Sequence, residues 1–183
     1  TGGCHAYLRE SQGNGSETPV PELTLRPARV SDAREIAQVQ QESWIQAYAG
    51  LLPGGFPLRD KEERVVIWRQ RIEHYPCHTL VAEIDRALVG VIFWEQHSAY
   101  QAEIGSLYLH PFYWSQGIGR QLLASVLEDM RHEKIVRVSL WVMSGNLRAE
   151  RFYLANGFQY DGKTRVGQMT GASYRQRSMV RTL

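Results

Sequence analysis

A chain of 183 residues is long enough to enclose a hydrophobic core, and 43% hydrophobic with 22% charged residues is ordinary for a soluble globular protein. The formal net charge of +2 is too small to indicate nucleic acid or a membrane surface as the main partner. The longest apolar run, residues 87–94, is too short to span a bilayer. Cys4 and Cys77 fit no metal-binding spacing, and no signal-peptide pattern is present. By elimination we expect a cytoplasmic protein without a metal site.

The first part of the chain predicts a tail, a strand and a helix. Residues 1–22 are rich in Gly, Ser and Pro, so we expect a flexible tail ahead of a single domain at residues 23–183. Residues 23–28 favour a strand, and apolar residues at near-helical spacing then predict a helix that ends near Tyr48. A loop rich in Gly and Pro and a charged amphipathic helix follow, at residues 50–57 and 60–74.

The second part alternates strands and helices. Three apolar strands come first, and the third is stopped by Pro111. A helix with one apolar stripe begins at Gly117, and a shorter helix is expected to be capped by Asn146 and ended by Gly157. The element order is βααβββαβαββ, which indicates an α/β fold with a mixed sheet. The predicted elements are residues 78–84, 87–95, 102–109, 117–133, 136–142, 146–156, 158–165 and 174–182.

The segment Gln116-Gly117-Ile118-Gly119-Arg120 lies between a predicted strand and a predicted helix. Glycines let an anion approach the backbone, and the helix start offers unpaired N–H groups and the positive end of its dipole. Arg120 stands in the first turn, where a cation is disfavoured unless an anion is bound. The segment lacks the P-loop pattern and the third glycine of a Rossmann fingerprint. Two interpretations remain: a pyrophosphate-binding loop, or a glycine turn without a ligand.

The surroundings of this segment resemble the acetyl-CoA-binding core of the GNAT superfamily. The strand and turn at residues 104–111 precede it, and the pattern N-x-x-A-x-x-F-Y-x-x-x-G-F at residues 146–158 follows one strand later. The resemblance covers residues 23–183 and is most specific at 102–158. Residues 43–50 also resemble a bacterial branch of small, single-domain members. The resemblance implies a mixed, mostly antiparallel central sheet flanked by about four helices.

The same resemblance implies a reaction, in which an amine attacks the thioester of acetyl-CoA directly within a ternary complex. Tyr153 would protonate the departing thiolate, and Glu103 would take the proton of the amine. One amide of the strand would polarise the thioester carbonyl in an oxyanion-hole role. The pantetheine arm would pair with Leu107, Tyr108 and Leu109. The acceptor would contact Trp44 and Tyr48. The pyrophosphate and neighbouring CoA groups would contact Ser115, Gln116, Gly117, Ile118, Gly119, Arg120 and Asn146.

Two positions depart from the family pattern. Trp114 stands first in a loop that usually reads [Q/R]-x-x-G-x-[G/A], so a polar contact is missing there. Trp141 stands where some members carry a glutamate base. Candidates for the base besides Glu103 are therefore Glu95, His110 and a water chain, and Glu103 itself is equally compatible with a solvent-facing strand residue.

The function as a whole has a second interpretation. A noncatalytic acetyl-CoA-binding module or sensor would keep the glycine loop but lack a working acid and base. In that case Tyr153 would be a core aromatic. The acceptor is expected to be a small-molecule amine or a protein amine, with no nucleic acid or membrane partner, and the protein to be a monomer or homodimer.

Overall fold

The computed structural model describes residues 22–49, 59–169 and 172–183. The predicted loop at 50–57 and residues 1–21 of the predicted tail lie outside the described residues. No helix in the described ranges is long and apolar enough to cross a bilayer.

Within the described residues, seven strands form a single sheet. In chain order they are β1 (Leu23–Pro27), β2 (Thr79–Ile84), β3 (Ala87–Ser98), β4 (Gln101–Leu109), β5 (Arg137–Met143), β6 (Gln159–Met169) and β7 (Ala172–Thr182). Their spatial order is β1-β2-β3-β4-β5-β7-β6, and β4–β5 is the parallel pair among antiparallel neighbours. The predicted mixed, mostly antiparallel sheet is therefore confirmed.

Four helices flank the sheet: α1 (Ala33–Ala47), α2 (Lys61–His74), α3 (Ile118–His132) and α4 (Leu147–Ala155). Two short 3₁₀ turns, Val30–Asp32 and Pro111–Tyr113, precede α1 and α3. The order βααβββαβαββ is confirmed. A side-chain cap begins α2, where the Asp60 carboxylate accepts the Glu62 N–H at 2.9 Å.

The sheet carries a hydrophobic core on each face. Val81 and Phe93 pack with the buried residues of α1 and α2, such as Trp68. Leu80 and Ile92 point the other way, into the core that α3 and α4 cover. Because side chains alternate along a strand, two covered faces require apolar residues in succession. This explains the run at 87–94 that the sequence showed.

The pairing of β4 with β5 ends early. The two strands pair from Gln101 opposite Arg137 to Ile104 opposite Leu140. β4 nevertheless continues for five more residues, and β5 for three. The strand ends therefore part, and a cleft opens between them in the middle of the sheet.

Gly105 is an extra residue in β4, at the point where the strands part. Phe93 of β3 lies opposite Ser106, whereas the next residue, Trp94, lies opposite Ile104. Such a β-bulge bends the strand and increases its twist. The extra residue also shifts by one position which side chains of β4 point to each face of the sheet. Tyr108 therefore packs against the core below α1 and α2, and Leu107 and Leu109 pack against the core below α3.

Asp32 directly precedes α1, and its carboxylate bonds to groups ahead of the helix. The Asp32 carboxylate accepts the Arg29 N–H at 2.6 Å and pairs with Arg26 at 2.7 Å, and makes no side-chain cap on α1. Cys77, between α2 and β2, is disulfide-bonded. The chain's other cysteine, Cys4, lies outside the described residues. The cytoplasmic location stays a prediction.

Candidate active site

The cleft between β4 and β5 widens into a cavity that several elements line. Trp44 of α1, Tyr48 directly after α1 and Trp141 of β5 are among its lining residues. Tyr108 and Tyr153 line it from β4 and α4. Of the residues predicted from the sequence, the cavity wall therefore contains Trp44, Tyr48, Leu107, Tyr108, Asn146 and Tyr153.

The backbone of β4 presents a free edge to this cleft. The His110 N–H donates to the Val89 carbonyl of β3 at 2.8 Å. Because hydrogen-bonded pairs alternate along an antiparallel ladder, the backbone N–H and C=O of Tyr108, two residues earlier, also point toward β3. The N–H groups of Leu107 and Leu109 point instead toward the diverged β5. An extended chain of amides, such as a pantetheine arm, can pair with an edge of this kind.

Gly117 begins α3 with φ of 83°, in the left-handed region that favours glycine. A Cβ added at Gly117 would meet no atom within 4 Å, so the space beside the helix start is open. Ser115, two residues earlier, also has a positive φ of 63°. The unpaired N–H groups of the first turn and the open space together suit an anion such as a pyrophosphate.

Gly119 is closely packed by neighbouring side chains, and a contact of its backbone with CoA stays a prediction. A Cβ there would lie 3.0 Å from Cδ1 of Leu109 and 3.6 Å from the Phe152 ring. Gly119 is buried and lets α3 approach β4 and α4 closely. It is a packing glycine, so a substitution there would disturb the fold rather than test the anion site.

Trp114 occupies the first position of the loop, where the family pattern has a polar residue. Its indole N–H donates to the Leu109 carbonyl at 2.9 Å, which ties the loop to β4. The guanidinium of Arg148 lies 4.4 Å from the Trp114 ring centroid and donates to Oγ of Ser115 at 3.3 Å. An exposed cation from α4 thus stands beside the loop.

Arg148 was not predicted from the sequence, although a signal for it existed. It lies in the first turn of α4, where a cation is disfavoured unless an anion is bound. The same signal marks Arg120, which is exposed in the first turn of α3. The two arginines stand at the starts of the two helices that border the loop.

Asn146 joins the two sides of the cleft. Its Oδ1 accepts the Ala149 N–H at 3.2 Å, so the predicted helix cap is confirmed. Its side chain is also hydrogen-bonded to the Tyr48 hydroxyl, at the end of α1. Burial raises the pKa of that hydroxyl, and the hydrogen bond with Asn146 opposes part of the rise. A contact of Asn146 with CoA stays a prediction.

Tyr153 is a buried aromatic that still reaches the cavity. Its exposed fraction is 9%, and its ring makes edge contacts with Phe152 and Phe158 at centroid distances of 5.1 and 5.6 Å. Burial raises the pKa of its hydroxyl well above the ordinary value. The hydroxyl therefore stays protonated at physiological pH, as a proton donor requires.

Glu103 does not line the cavity. It lies opposite Glu95 on β3, and the carboxylates of these two residues form a cluster with His97 in which the polar atoms lie within 4.8 Å of one another. Glu103 precedes Ser106, which does line the cavity, on the same strand. A role for Glu103 in the reaction stays a prediction.

His110 is held at the end of β4. Its Nδ1 accepts the Phe112 N–H at 3.2 Å, and its Nε2 lies 3.1 Å from Oε2 of Glu42. Accepting a proton would require Nδ1 to give up the Phe112 contact. This geometry disfavours His110 as the base.

The free strand edge and the buried tyrosine thus share one cleft, and the open start of α3 follows β4 in the chain. The chain belongs to the acetyltransferase (GNAT) family, whose sequence profile matches residues 36–158. Acetyl-CoA is accordingly its acetyl donor. The open space at Gly117 and the unpaired amides of β4 fit the phosphate and pantetheine parts of this cosubstrate.

Comparisons with individual proteins agree with the family. The chain is 28% identical over 155 residues to a spermidine N(1)-acetyltransferase of Thermoplasma acidophilum, covering 76% of this chain and 89% of that relative. It is 25% identical to the PaiA N-acetyltransferase of the same organism, whose crystal structure is a complex with coenzyme A, with a TM-score of 0.62 and coverage of 88% and 99%. Ard1 from Thermoplasma volcanium shares the fold, with 19% identity, a TM-score of 0.68 and coverage of 88% and 97%.

Proposed function

We propose that this protein transfers the acetyl group of acetyl-CoA to a primary amine by direct attack within a ternary complex. The observation that carries the proposal is the convergence, in one cleft, of the free amides of β4 and the hydroxyl-bearing wall of Tyr48, Tyr108 and Tyr153. The direct test is acetyl-CoA-dependent acetylation of a panel of amines, followed as thiol release.

In the proposed reaction, the amine nitrogen forms a bond to the thioester carbonyl carbon, and the carbon–sulfur bond breaks. The Leu107 N–H, which faces the cleft, stabilises the negative charge that develops on the carbonyl oxygen. The Tyr153 hydroxyl gives its proton to the departing thiolate. The proton lost by the amine passes through water to Glu103, and solvent returns a proton to Tyr153.

The phosphates of the donor would lie at the start of α3. Gly117 leaves the backbone N–H groups there open, and Arg120 and Arg148 supply positive charge on either side. The family pattern has a polar residue at the position of Trp114. Arg148 would make the polar contact with the phosphates that Trp114 cannot make. Ser115 and Gln116 complete the loop, and their contacts with CoA remain part of the proposal.

The acceptor would enter from the face of the sheet that α1 and α2 cover. Trp44 and Tyr108 meet there edge to face, with ring centroids 6.1 Å apart. One relative is named for spermidine, so a polyamine is one candidate acceptor. The carboxylates of Glu95 and Glu103 lie on this face and are available to a cationic substrate.

Glu103→Gln is expected to lower the rate most at low pH. The amide keeps the size of the side chain but cannot accept a proton, whereas an alkylammonium with a pKa of about 10 must lose one before it attacks. At high pH the free amine is abundant, so part of the loss should return. A pH–rate profile of the wild type and the variant measures this difference.

Glu95→Gln is the matched control, because Glu95 lies opposite Glu103 in the same cluster. If Glu103 is the base, the control should change the pH profile much less. An equal fractional activity of Glu103→Gln at every pH would remove Glu103 from the reaction. The same pH-dependent loss in Glu95→Gln alone would make Glu95 the base instead.

A further inference from the structure

Arg71, near the end of α2, places a positive charge beside the cavity. Its Nη1 donates to Oγ of Ser106 at 3.2 Å, and Ser106 is a residue of the cavity wall. Its guanidinium also lies 4.9 Å from the Trp68 ring centroid and 4.8 Å from that of Phe93. The side chain is thus fixed between two rings, with one edge toward the acceptor face of β4.

No carboxylate of the residues that the structure describes lies within 4 Å of this guanidinium. Arg26 and Arg34, by contrast, lie 2.7 Å from Asp32 and 2.9 Å from Glu62. Arg64 also lacks a carboxylate partner, but its Nη1 and Nη2 donate to the Arg59 carbonyl and to Oε1 of Gln41, and it is not among the residues that contact the cavity wall at Ser106. Burial lowers the pKa of Arg71, while Tyr108 and Glu95 act in the opposite direction through space. A guanidinium stays charged in proteins, and a charge removed from water is costly without a direct partner.

We propose that Arg71 binds a carboxylate of the acceptor, so that the acceptor is an amine with an anionic group next to its amino group, as in an amino acid. This inference rests on the proposed function. A guanidinium presents two parallel N–H donors that match a carboxylate, and one Nη atom remains beyond the bond to Ser106.

The position of Arg71 suits such an acceptor. Ser106 directly precedes Leu107, whose N–H faces the cleft, and neighbouring residues of a strand are about 3.3 Å apart. The amino and carboxylate groups of an α-amino acid share one carbon atom. A carboxylate held by Arg71 would therefore leave the amine within reach of a thioester at Leu107.

The acidic residues on the same face of the sheet do not cancel the preference of Arg71 for a carboxylate. Glu95 and Glu103 lie two pairs of residues farther along β3 and β4 than Phe93 and Ser106. A polyamine would bring an ammonium close to Arg71, which is unfavourable between like charges. The proposal thus separates an amino-acid-like acceptor from a polyamine, and a polyamine preference is an outcome that overturns it.

The experiment compares amino acids with their carboxamides as acceptors, in matched pairs that differ only in the carboxylate. The wild type should prefer the carboxylate member by about 10- to 100-fold in kcat/KM, as for one charge-assisted hydrogen-bonded pair. Arg71→Met keeps apolar contact with Trp68 and Phe93, so it should fold, and its kcat/KM should fall much more for the carboxylate member than for the carboxamide, which removes the preference. Arg71→Lys should keep part of the preference.

Arg69→Met is the control, because Arg69 is an exposed arginine of the same helix. It should leave both members of each pair unchanged. A wild type without preference for the carboxylate, a preference for spermidine over every amino acid, or a preference that persists in Arg71→Met would each overturn the proposal.

A binding measurement keeps this inference distinct from the proposed function. Calorimetric titration of the protein–CoA complex with N-acetylglycine should show binding that Arg71→Met abolishes. If no amine of any kind is acetylated, the proposed function fails, and this titration still decides the role of Arg71. Equal binding by the wild type and Arg71→Met, or binding by neither, would count against it.

Discussion

Tyr153→Phe is expected to lower kcat by about 10²- to 10⁴-fold while acetyl-CoA affinity changes little. The substitution removes the hydroxyl that lines the cavity but keeps the ring between Phe152 and Phe158, so packing and stability should be preserved. Without a proton donor, the thiolate must depart as an anion. Single-turnover rates and calorimetric titration with acetyl-CoA measure the two quantities separately.

Tyr48→Phe is a suitable comparison, because Tyr48 also lines the cavity and also carries a hydroxyl whose pKa burial raises. Its loss of rate should be much smaller if Tyr153 is the acid. Because the pKa of Tyr153 is raised above its usual value, the acid should stay protonated at mildly alkaline pH, and deprotonation of Tyr153 should not lower the rate there. Unchanged single-turnover chemistry in Tyr153→Phe would leave Tyr153 as a packing residue.

Gly117→Asp is expected to weaken acetyl-CoA binding on the order of 100-fold, because it places a carboxylate in the open space assigned to the pyrophosphate. Two like charges about 5 Å apart repel strongly enough for this effect at the dielectric of a protein surface. The loss should shrink as salt is added, since exposed charges are screened. Titrations with acetyl-CoA at low and high ionic strength measure it.

Gly162→Asp provides the matched control for backbone strain. Gly162 in β6 has the same φ of 83°, and a Cβ there also meets no atom within 4 Å. Both variants therefore carry a similar conformational cost, but Gly162 lies within β6, whereas Gly117 stands at the start of α3. An equal loss of CoA affinity in the two variants, or no loss in Gly117→Asp, would show that the phosphates do not lie beside Gly117.

The elements of this fold could be predicted because their signals are local. The apolar stripe of α3, the alternation in β5 and the cap at Asn146 depend on residues close together in the chain. The same holds for the loop at Gly117, where glycine is required by a positive φ. These features indicate the order of elements and the open helix start at Gly117.

The features that could not be predicted depend on contacts between distant segments. The sequence shows two glycines in the loop, but only packing reveals that Gly119 faces Leu109 and Phe152. The pairing of β4 with β5 ends at Ile104, and this end depends on the relative placement of two strands that are far apart in the chain. The desolvation of Arg71 likewise arises from the approach of α2 to the sheet, which no periodicity encodes.

Acetyl transfer itself is tested most directly by incubating the protein with acetyl-CoA and a panel of primary amines, then measuring free thiol and identifying the amine product by mass spectrometry. We expect one N-acetylated amine for each CoA released, with initial-rate lines that intersect when both substrates are varied, as for a ternary complex. Parallel lines would instead indicate a covalent acetyl-enzyme. Tight acetyl-CoA binding without acetylation of any amine would contradict the account and identify the protein as a noncatalytic acetyl-CoA-binding module.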